Sequence, residues 1–172
     1  CWRVTVKSDE PGRFLAGIAA LIRNTKGEYL LLKRSSMRDF GADVWECVTG
    51  RVNQGESFET ALHREAREET GLSVRIEGLV GLSHVYRGET VPENELQGVV
   101  FACAIEGDET VRRSTEHSEH RWIGGEEAKE FLTECLPGVV WLRRTIERAE
   151  ALRAIEPEGW GEIHGSGVTL GV

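Results

Sequence analysis

Apolar and polar positions along the chain fall into short strand-like runs broken by turn residues, with three stretches of helical period. Trp2–Lys7 alternates in the manner of a half-buried strand, and Pro11-Gly12 cuts it off. Phe14–Ile22 is apolar throughout around Gly17, which predicts a strand buried on both faces. Asn24–Gly27 is turn-forming, and Tyr29–Lys33 beyond it predicts the second arm of a hairpin. Arg34–Asp43 reads as a polar loop and Val44–Val48 as a short strand. Ser57–Thr70 carries the clearest helical period, with Gly71 as its stop. Val74–Val85 and Gln97–Ile105 predict strands on either side of a loop over Arg87–Glu95. Asp108–His120 predicts a polar loop, Arg121–Ile123 a short strand, and Glu126–Leu132 and Val139–Ile155 two helices. Five glycines follow from Gly159 onward and predict an irregular tail. No repeat or linker divides the rest, so the expectation is a mixed α/β fold: one domain over residues 1–158 with a Gly-rich tail at 159–172.

Composition narrows the class. Among 172 residues, 40% are hydrophobic, ample for a core and too many for a disordered chain. No apolar run approaches the roughly 20 residues that span a bilayer, and nothing at the N-terminus has the form of a signal peptide. Cysteines 1, 47, 103 and 135 have neither metal-ligand nor redox spacing, so free thiols in a cytoplasmic setting are expected, with Cys47 and Cys103 buried in strands. Lys and Arg number 21 against 29 Asp and Glu, a net charge of −8. That balance excludes a nucleic-acid polymer as partner, because such binders need a positive surface. A small phosphate ligand stays open, because a metal can supply the positive charge.

The segment over residues 50–72 holds the chemistry. On a helix starting after Ser57, Phe58, Ala61, Leu62, Glu65, Glu68 and Glu69 share one side. The stripe is apolar in its first half and acidic in its second. Three carboxylates spaced i, i+3 and i+4 repel one another if they point inward, and either raised pKa values or a bound cation relieves them. Oxygen-only ligands suit Mg²⁺ or Mn²⁺ rather than zinc. A Glu-rich helix end is also what a solvated face looks like, and spacing alone leaves both readings open.

Gly50, Glu56, Arg64, Glu65, Ala66, Glu68, Glu69, Gly71 and Leu72 occupy, in order and spacing, the fixed positions of the signature of the Nudix hydrolase family. The sequence resembles that family in its MutT-like branch. The resemblance implies a single-domain Nudix-type mixed β-sheet sandwiched between helices and hydrolysis of a phosphoric anhydride bond with a divalent metal. It makes Glu65, Glu68 and Glu69 metal ligands, with Glu68 and Glu69 also catalytic. Arg64 would orient them, and Glu56 would support the loop. Where relatives often carry a second Gly whose carbonyl helps bind metal, this chain has Thr49, which keeps the carbonyl.

Val44-Trp45-Glu46-Cys47-Val48-Thr49-Gly50 and the stretch from Glu116 to Trp122 are similar to dihydroneopterin triphosphate pyrophosphatases. They imply a pterin or deoxynucleoside triphosphate cut to a monophosphate and pyrophosphate. ADP-ribose, nucleotide sugars and dinucleoside polyphosphates are the alternative substrates, and a catalytically silent nucleotide-binding module the alternative role. In MutT-like members a Glu in the later loop is functional, which points to Glu116 as general base, with Glu119 second and a Glu of the helix third. His117 and His120 are candidates to touch phosphate. Trp45 or Phe40 could wall a flat heterocycle, a core tryptophan being the plainer reading of Trp45, and Arg34 could meet the outer phosphates. The expected partner is thus a small nucleotide or pterin phosphate, with no membrane. For a homodimer, Trp2–Lys7 and the C-terminal helix are the candidate contacts.

Overall fold

The structure is a computed structural model that describes residues 12–36 and 42–155. The strand expected over Trp2–Lys7, the side chain of Phe40 and the tail at 159–172 lie outside the described residues.

β1 (Leu15–Arg23) is the strand read from the apolar run. Ile18, Ala20 and Ile22 pack on one face of the sheet and Ala19 and Leu21 on the other, so alternation has nothing polar to mark. The chain turns through Gly27, whose φ of 86 favours glycine, and β2 (Tyr29–Arg34) returns antiparallel, meeting β1 at Arg23 and Tyr29. From there the two strands diverge, and the next segment fills the gap by changing partners. The single strand expected over Val44–Val48 is therefore two. β3 (Trp45–Glu46) pairs with β2, the chain breaks at Cys47, and β4 (Val48–Arg51) pairs with β1.

α1 (Phe58–Thr70) forms where its signals placed it. The Ser57 side chain accepts the Thr60 N–H at 3.1 Å, and Gly71 closes the helix in the left-handed conformation at φ 72. Such an N-cap contributes about 1 kcal/mol. β5 (Ser73–Tyr86) and β6 (Glu95–Glu106) pair antiparallel, and β6 runs parallel to β1 along its whole length. β7 (His117–Ile123) starts four residues before the strand expected at Arg121–Ile123. Among the described residues it pairs only with β2, and Ser118–Arg121 are exposed and carry no apolar alternation to betray the strand. The described residues thus form a seven-stranded mixed sheet in the order β3-β2-β1-β6-β5, with β4 on β1 and β7 on β2.

α1 covers one face through Ala61, Leu62 and Ala66. α2 (Gly125–Phe131) and α3 (Pro137–Ile155) cover the other through Ala128, Leu142 and Ile146. This is the expected single-domain sheet between helices, and each fully buried Leu or Ile in it contributes about 1.5–3 kcal/mol. Cys47 and Cys103 are buried free thiols, which burial pushes above the ordinary thiol range, and Cys135 is free and exposed. No helix among the described residues is long and apolar enough to cross a membrane.

Candidate active site

One guanidinium organises the loop before α1 and the helix itself. Arg64 Nε donates to Glu56 Oε1 at 2.7 Å and Nη2 to Glu56 Oε2 at 2.9 Å. Its Nη1 donates to Glu65 Oε1 at 2.7 Å and to Glu68 Oε2 at 3.3 Å, and its Nη2 also reaches the Arg51 carbonyl at 2.9 Å. The Asn53 N–H adds a hydrogen bond to Glu56 at 2.9 Å. Arg64 first, then Asn53, pulls the Glu56 carboxyl down to about 2, and the carboxylates hold Arg64 above its usual value. Gly50 closes the loop against the helix: a Cβ on it would fall 2.1 Å from Cδ of Glu65, so only glycine leaves room for that carboxylate.

The helix is rotated relative to the face read from the sequence. Its buried residues are Ala61, Leu62, Ala66, Glu69 and Thr70, whereas Phe58 is exposed and the Glu68 side chain is 60% exposed. The small side chains of Ala66 and Thr70 account for this. Thr70 Oγ1 turns back to bond the Ala66 carbonyl at 2.5 Å, and the helix lies close to the sheet along that line. Of the three glutamates expected to point inward, Glu69 is buried, Glu65 is half-buried under Arg64, and Glu68 faces outward. As they stand, no three acidic, His or Cys side chains among the described residues are gathered closely enough to hold an ion.

Glu69 is nonetheless poised for a cation. Its residue exposure is 7%, and Oε2 is buried with no hydrogen-bond partner among the described residues. Burial pushes its carboxyl up to about 9, and the charges of Glu46, Glu65 and Glu116 push the same way, while the Thr49 backbone N–H opposes them. An orphaned, buried oxygen among further carboxylates is a donor set that fits a hard divalent ion.

The fork between β1–β4 and β2–β7 holds a second polar group, centred on Glu46. Arg34 Nη1 donates to both of its oxygens at 3.0 and 3.1 Å, His117 Nε2 lies 3.0 Å from Oε1, and Thr49 Oγ1 is 3.5 Å from Oε2. The His117 ring is buried, and its Nδ1 has no partner among the described residues. The arm that delivers Glu116 is stapled to the end of α1. Arg112 N–H donates to the Thr70 carbonyl at 2.7 Å and Ser114 N–H to the Glu69 carbonyl at 3.0 Å, while Ser35 N–H holds the Glu116 carbonyl at 2.8 Å. This brings Glu116, Glu46, Glu65 and Glu69 into one electrostatic neighbourhood.

Arg34 is engaged by Glu46 rather than presented to solvent, and Glu119 pairs with Lys33 at 3.0 Å on the exposed side of β7. Trp45 packs edge-on against Phe131 with centroids 5.4 Å apart, partly buried on the border of the core. His120 is exposed; partial burial and then Arg113 hold it below the usual histidine value. Glu46 was not singled out by sequence reasoning. Its signal is a carboxylate on a strand residue flanked by two apolar neighbours, Trp45 and Cys47.

Comparison with known proteins adds independent findings. A model of the NUDIX domain matches residues 13–148. The chain is 33% identical over 129 residues to an octanoyltransferase of Myxococcus xanthus, covering 75% of this chain but only 34% of that protein's length. It is 30% identical over 127 residues to nucleoside triphosphatase NudI of Klebsiella pneumoniae, covering 66% of this chain and 84% of that protein. The crystal structure of a MutT protein from Methanosarcina mazei superposes with a TM-score of 0.68 at 30% identity, over 84% of this chain and 99% of that one. The dihydroneopterin triphosphate pyrophosphohydrolase of E. coli shares the fold at a TM-score of 0.55 and 20% identity, over 77% of this chain and 92% of that one.

Proposed function

The chain belongs to the Nudix family of hydrolases, and from that premise and the orphaned, buried oxygen of Glu69 we propose a divalent-metal-dependent nucleotide pyrophosphohydrolase. Its substrate in this reading is a nucleoside-triphosphate-like molecule, a deoxynucleoside or pterin triphosphate, cut to a monophosphate and pyrophosphate. The name of the Klebsiella relative, a nucleoside triphosphatase, and the MutT structure support the triphosphate. The pterin rests on the sequence motif alone, since the dihydroneopterin enzyme resembles this chain only in fold.

Glu65 and Glu69 would hold Mg²⁺ or Mn²⁺, with Glu68 joining once it leaves Arg64 and with the Thr49 carbonyl beside them. The ion would neutralise the charge that gathers on phosphate oxygens as water attacks phosphorus in line. The remaining work falls to the chain itself. Arg64 fixes Glu65 against Gly50, and the Glu116 carboxylate, stapled near Glu69 by the arm through Ser114, accepts the proton of the attacking water. The water oxygen bonds to phosphorus, the bridging P–O bond breaks, and pyrophosphate departs with the electron pair.

Hydrolysis of dGTP and of dihydroneopterin triphosphate in ¹⁸O-labelled water tests this. Expected products are pyrophosphate and a monophosphate, with turnover that requires Mg²⁺ and is lost in folded Glu69→Gln. Full activity in that variant, or release of orthophosphate instead, would refute the assignment.

A further inference from the structure

β7 begins with a slip in register. Lys33 of β2 pairs with Glu119, and regular pairing would then set Arg34 against Ser118. Instead Arg34 pairs with His117, and Ser118 is left over as a bulge. A slip of one residue turns a side chain to the other face of the sheet. His117 is thereby brought to the face that α1 covers, shared by Leu32 and its pair partner Glu46. There its side chain is enclosed at 1% exposure, with Nε2 3.0 Å from Glu46 Oε1. We propose that His117 is a positioning residue: through its bond to Glu46 it sets Glu116, its neighbour in the chain, against the Glu69 site.

The arm that carries Glu116 spans the two sides of the fork. Toward α1, Ser114 N–H bonds the Glu69 carbonyl at 3.0 Å and Arg112 N–H the Thr70 carbonyl at 2.7 Å. Toward β2 and β3, Ser35 N–H bonds the Glu116 carbonyl at 2.8 Å and the His117 ring reaches Glu46. Glu116 stands two residues past Ser114 and one before His117, so an anchor on each side fixes its backbone. The carboxylate that receives the ring is itself held. Arg34 Nη1 bonds both Glu46 oxygens, at 3.0 and 3.1 Å, and the Glu46 side chain is 16% exposed. A hydrogen bond to a shielded, twice-bonded carboxylate is strong and directional.

Packing alone does not account for an imidazole at this place. Its Nδ1 is buried with no partner among the described residues, and an unmatched buried polar atom carries a cost that a phenylalanine ring would not. The matched nitrogen, Nε2, is the one that reaches Glu46. That Glu116 takes the proton of the attacking water belongs to the hydrolysis proposed above, and the catalytic consequence rests on that reading; the placement of Glu116 does not.

Hydrogen exchange and a double-mutant cycle on the whole protein test both parts. His117→Phe keeps a ring without the donor, whereas His117→Gln sets an amide N–H about where Nε2 stood. The Ser35 amide, which bonds the Glu116 carbonyl, should exchange about tenfold faster in His117→Phe, with the amides of β1 unchanged, and near the wild-type rate in His117→Gln. On dGTP with Mg²⁺, His117→Phe should lower kcat about tenfold with KM little changed, and His117→Gln should recover most of the loss. In a Glu116→Gln background His117→Phe should cost nothing further, since the residue it places no longer accepts the proton. Where phenylalanine lowers the melting temperature, His117→Asn, too short to reach Glu46, takes its place. Unaltered exchange at Ser35 overturns the inference. Equal kcat losses in the two Glu116 backgrounds, or a phenylalanine variant as active as the glutamine one, overturn it as well. A Ser35 amide that responds to His117 beside full turnover in Glu116→Gln, or in a wild type that hydrolyses no dGTP, upholds the placement while refuting the proposed reaction.

Discussion

Both oxygens of the Glu56 carboxylate are taken by one guanidinium, Arg64 Nε at 2.7 Å on Oε1 and Nη2 at 2.9 Å on Oε2. The fork therefore joins the loop after β4 to the middle of α1, and its remaining nitrogen sets Glu65. Because the Glu56 carboxyl is drawn from 4.5 to about 2, its contribution to stability is present above pH 4.5 and is lost as the pH falls toward 2. Glu56→Gln should flatten that part of the acid limb in urea-unfolding midpoints measured against pH. Arg64→Lys keeps the charge and loses the fork, so Mg²⁺-dependent turnover should drop by about tenfold or more while the fold persists. A lysine variant with full turnover would remove Arg64 from its positioning role.

Glu69 titrates in the opposite sense. Its carboxyl stands at about 9 against an ordinary 4.5, so the metal-free protein loses stability as the pH rises through that interval, the unfolded chain ionising first. Glu69→Gln removes the cost, and in EDTA at pH 8 it should melt higher than the wild type, by about 2–4 °C for each kcal/mol relieved. Millimolar Mg²⁺ should stabilise the wild type by mass action and leave the variant unmoved. Parallel melting curves for the two proteins across pH 5 to 9 in EDTA would contradict the buried, uncompensated carboxyl.

What the sequence disclosed follows from how local each signal is. α1 was legible to the residue because Ser57, Gly71 and the fixed positions from Gly50 to Leu72 act within a few turns of one another. Its rotation was not, because Phe58 biased the apolar sector, whereas the closeness of Ala66 and Thr70 to the sheet is a tertiary matter. β1, β5 and β6 were read from runs of apolar or alternating residues. The break at Cys47 was hidden because it depends on two other strands diverging, and β7 because an edge strand can show polar residues outward. Glu46 escaped for a related reason: Arg34 lies 12 positions before it and His117 71 positions after it, so only the fold assembles the cluster.

Gly50 gives a steric test of the carboxylate site. A methyl group there would overlap Glu65 Cδ at 2.1 Å, and the nearest atoms belong to the side chain rather than to the backbone. Gly50→Ala is therefore expected to push Glu65 aside and leave the sheet in place. Overpacking of this kind costs about 1–3 kcal/mol, a melting shift of roughly 2–12 °C. Turnover should fall much further, by about a hundredfold, because a carboxylate moved by an ångström no longer meets its ion. If stability and turnover fell in proportion, the glycine would serve the fold alone.

Glu46 separates packing from charge. The pair with Arg34 is mostly shielded, with side-chain exposures of 15% and 16%, and His117 beside it is almost fully enclosed. Glu46→Ala takes both carboxylate oxygens from Arg34 and strands a second nitrogen of His117, a loss of about 1–3 kcal/mol. Glu46→Gln keeps an acceptor for each and should cost less. The two variants act alike on Glu69, however. Glu46 is the largest of the charges that raise the Glu69 carboxyl, second only to burial, so removing it by either route should bring that carboxyl down toward its ordinary range. Less protonated at pH 7, Glu69 should then take up Mg²⁺ with release of fewer protons, which calorimetry in buffers of different ionisation enthalpy measures directly. Glu46→Gln with wild-type proton release would mean that the two carboxyl groups do not sense each other across the fork, and that burial alone sets the charge of Glu69.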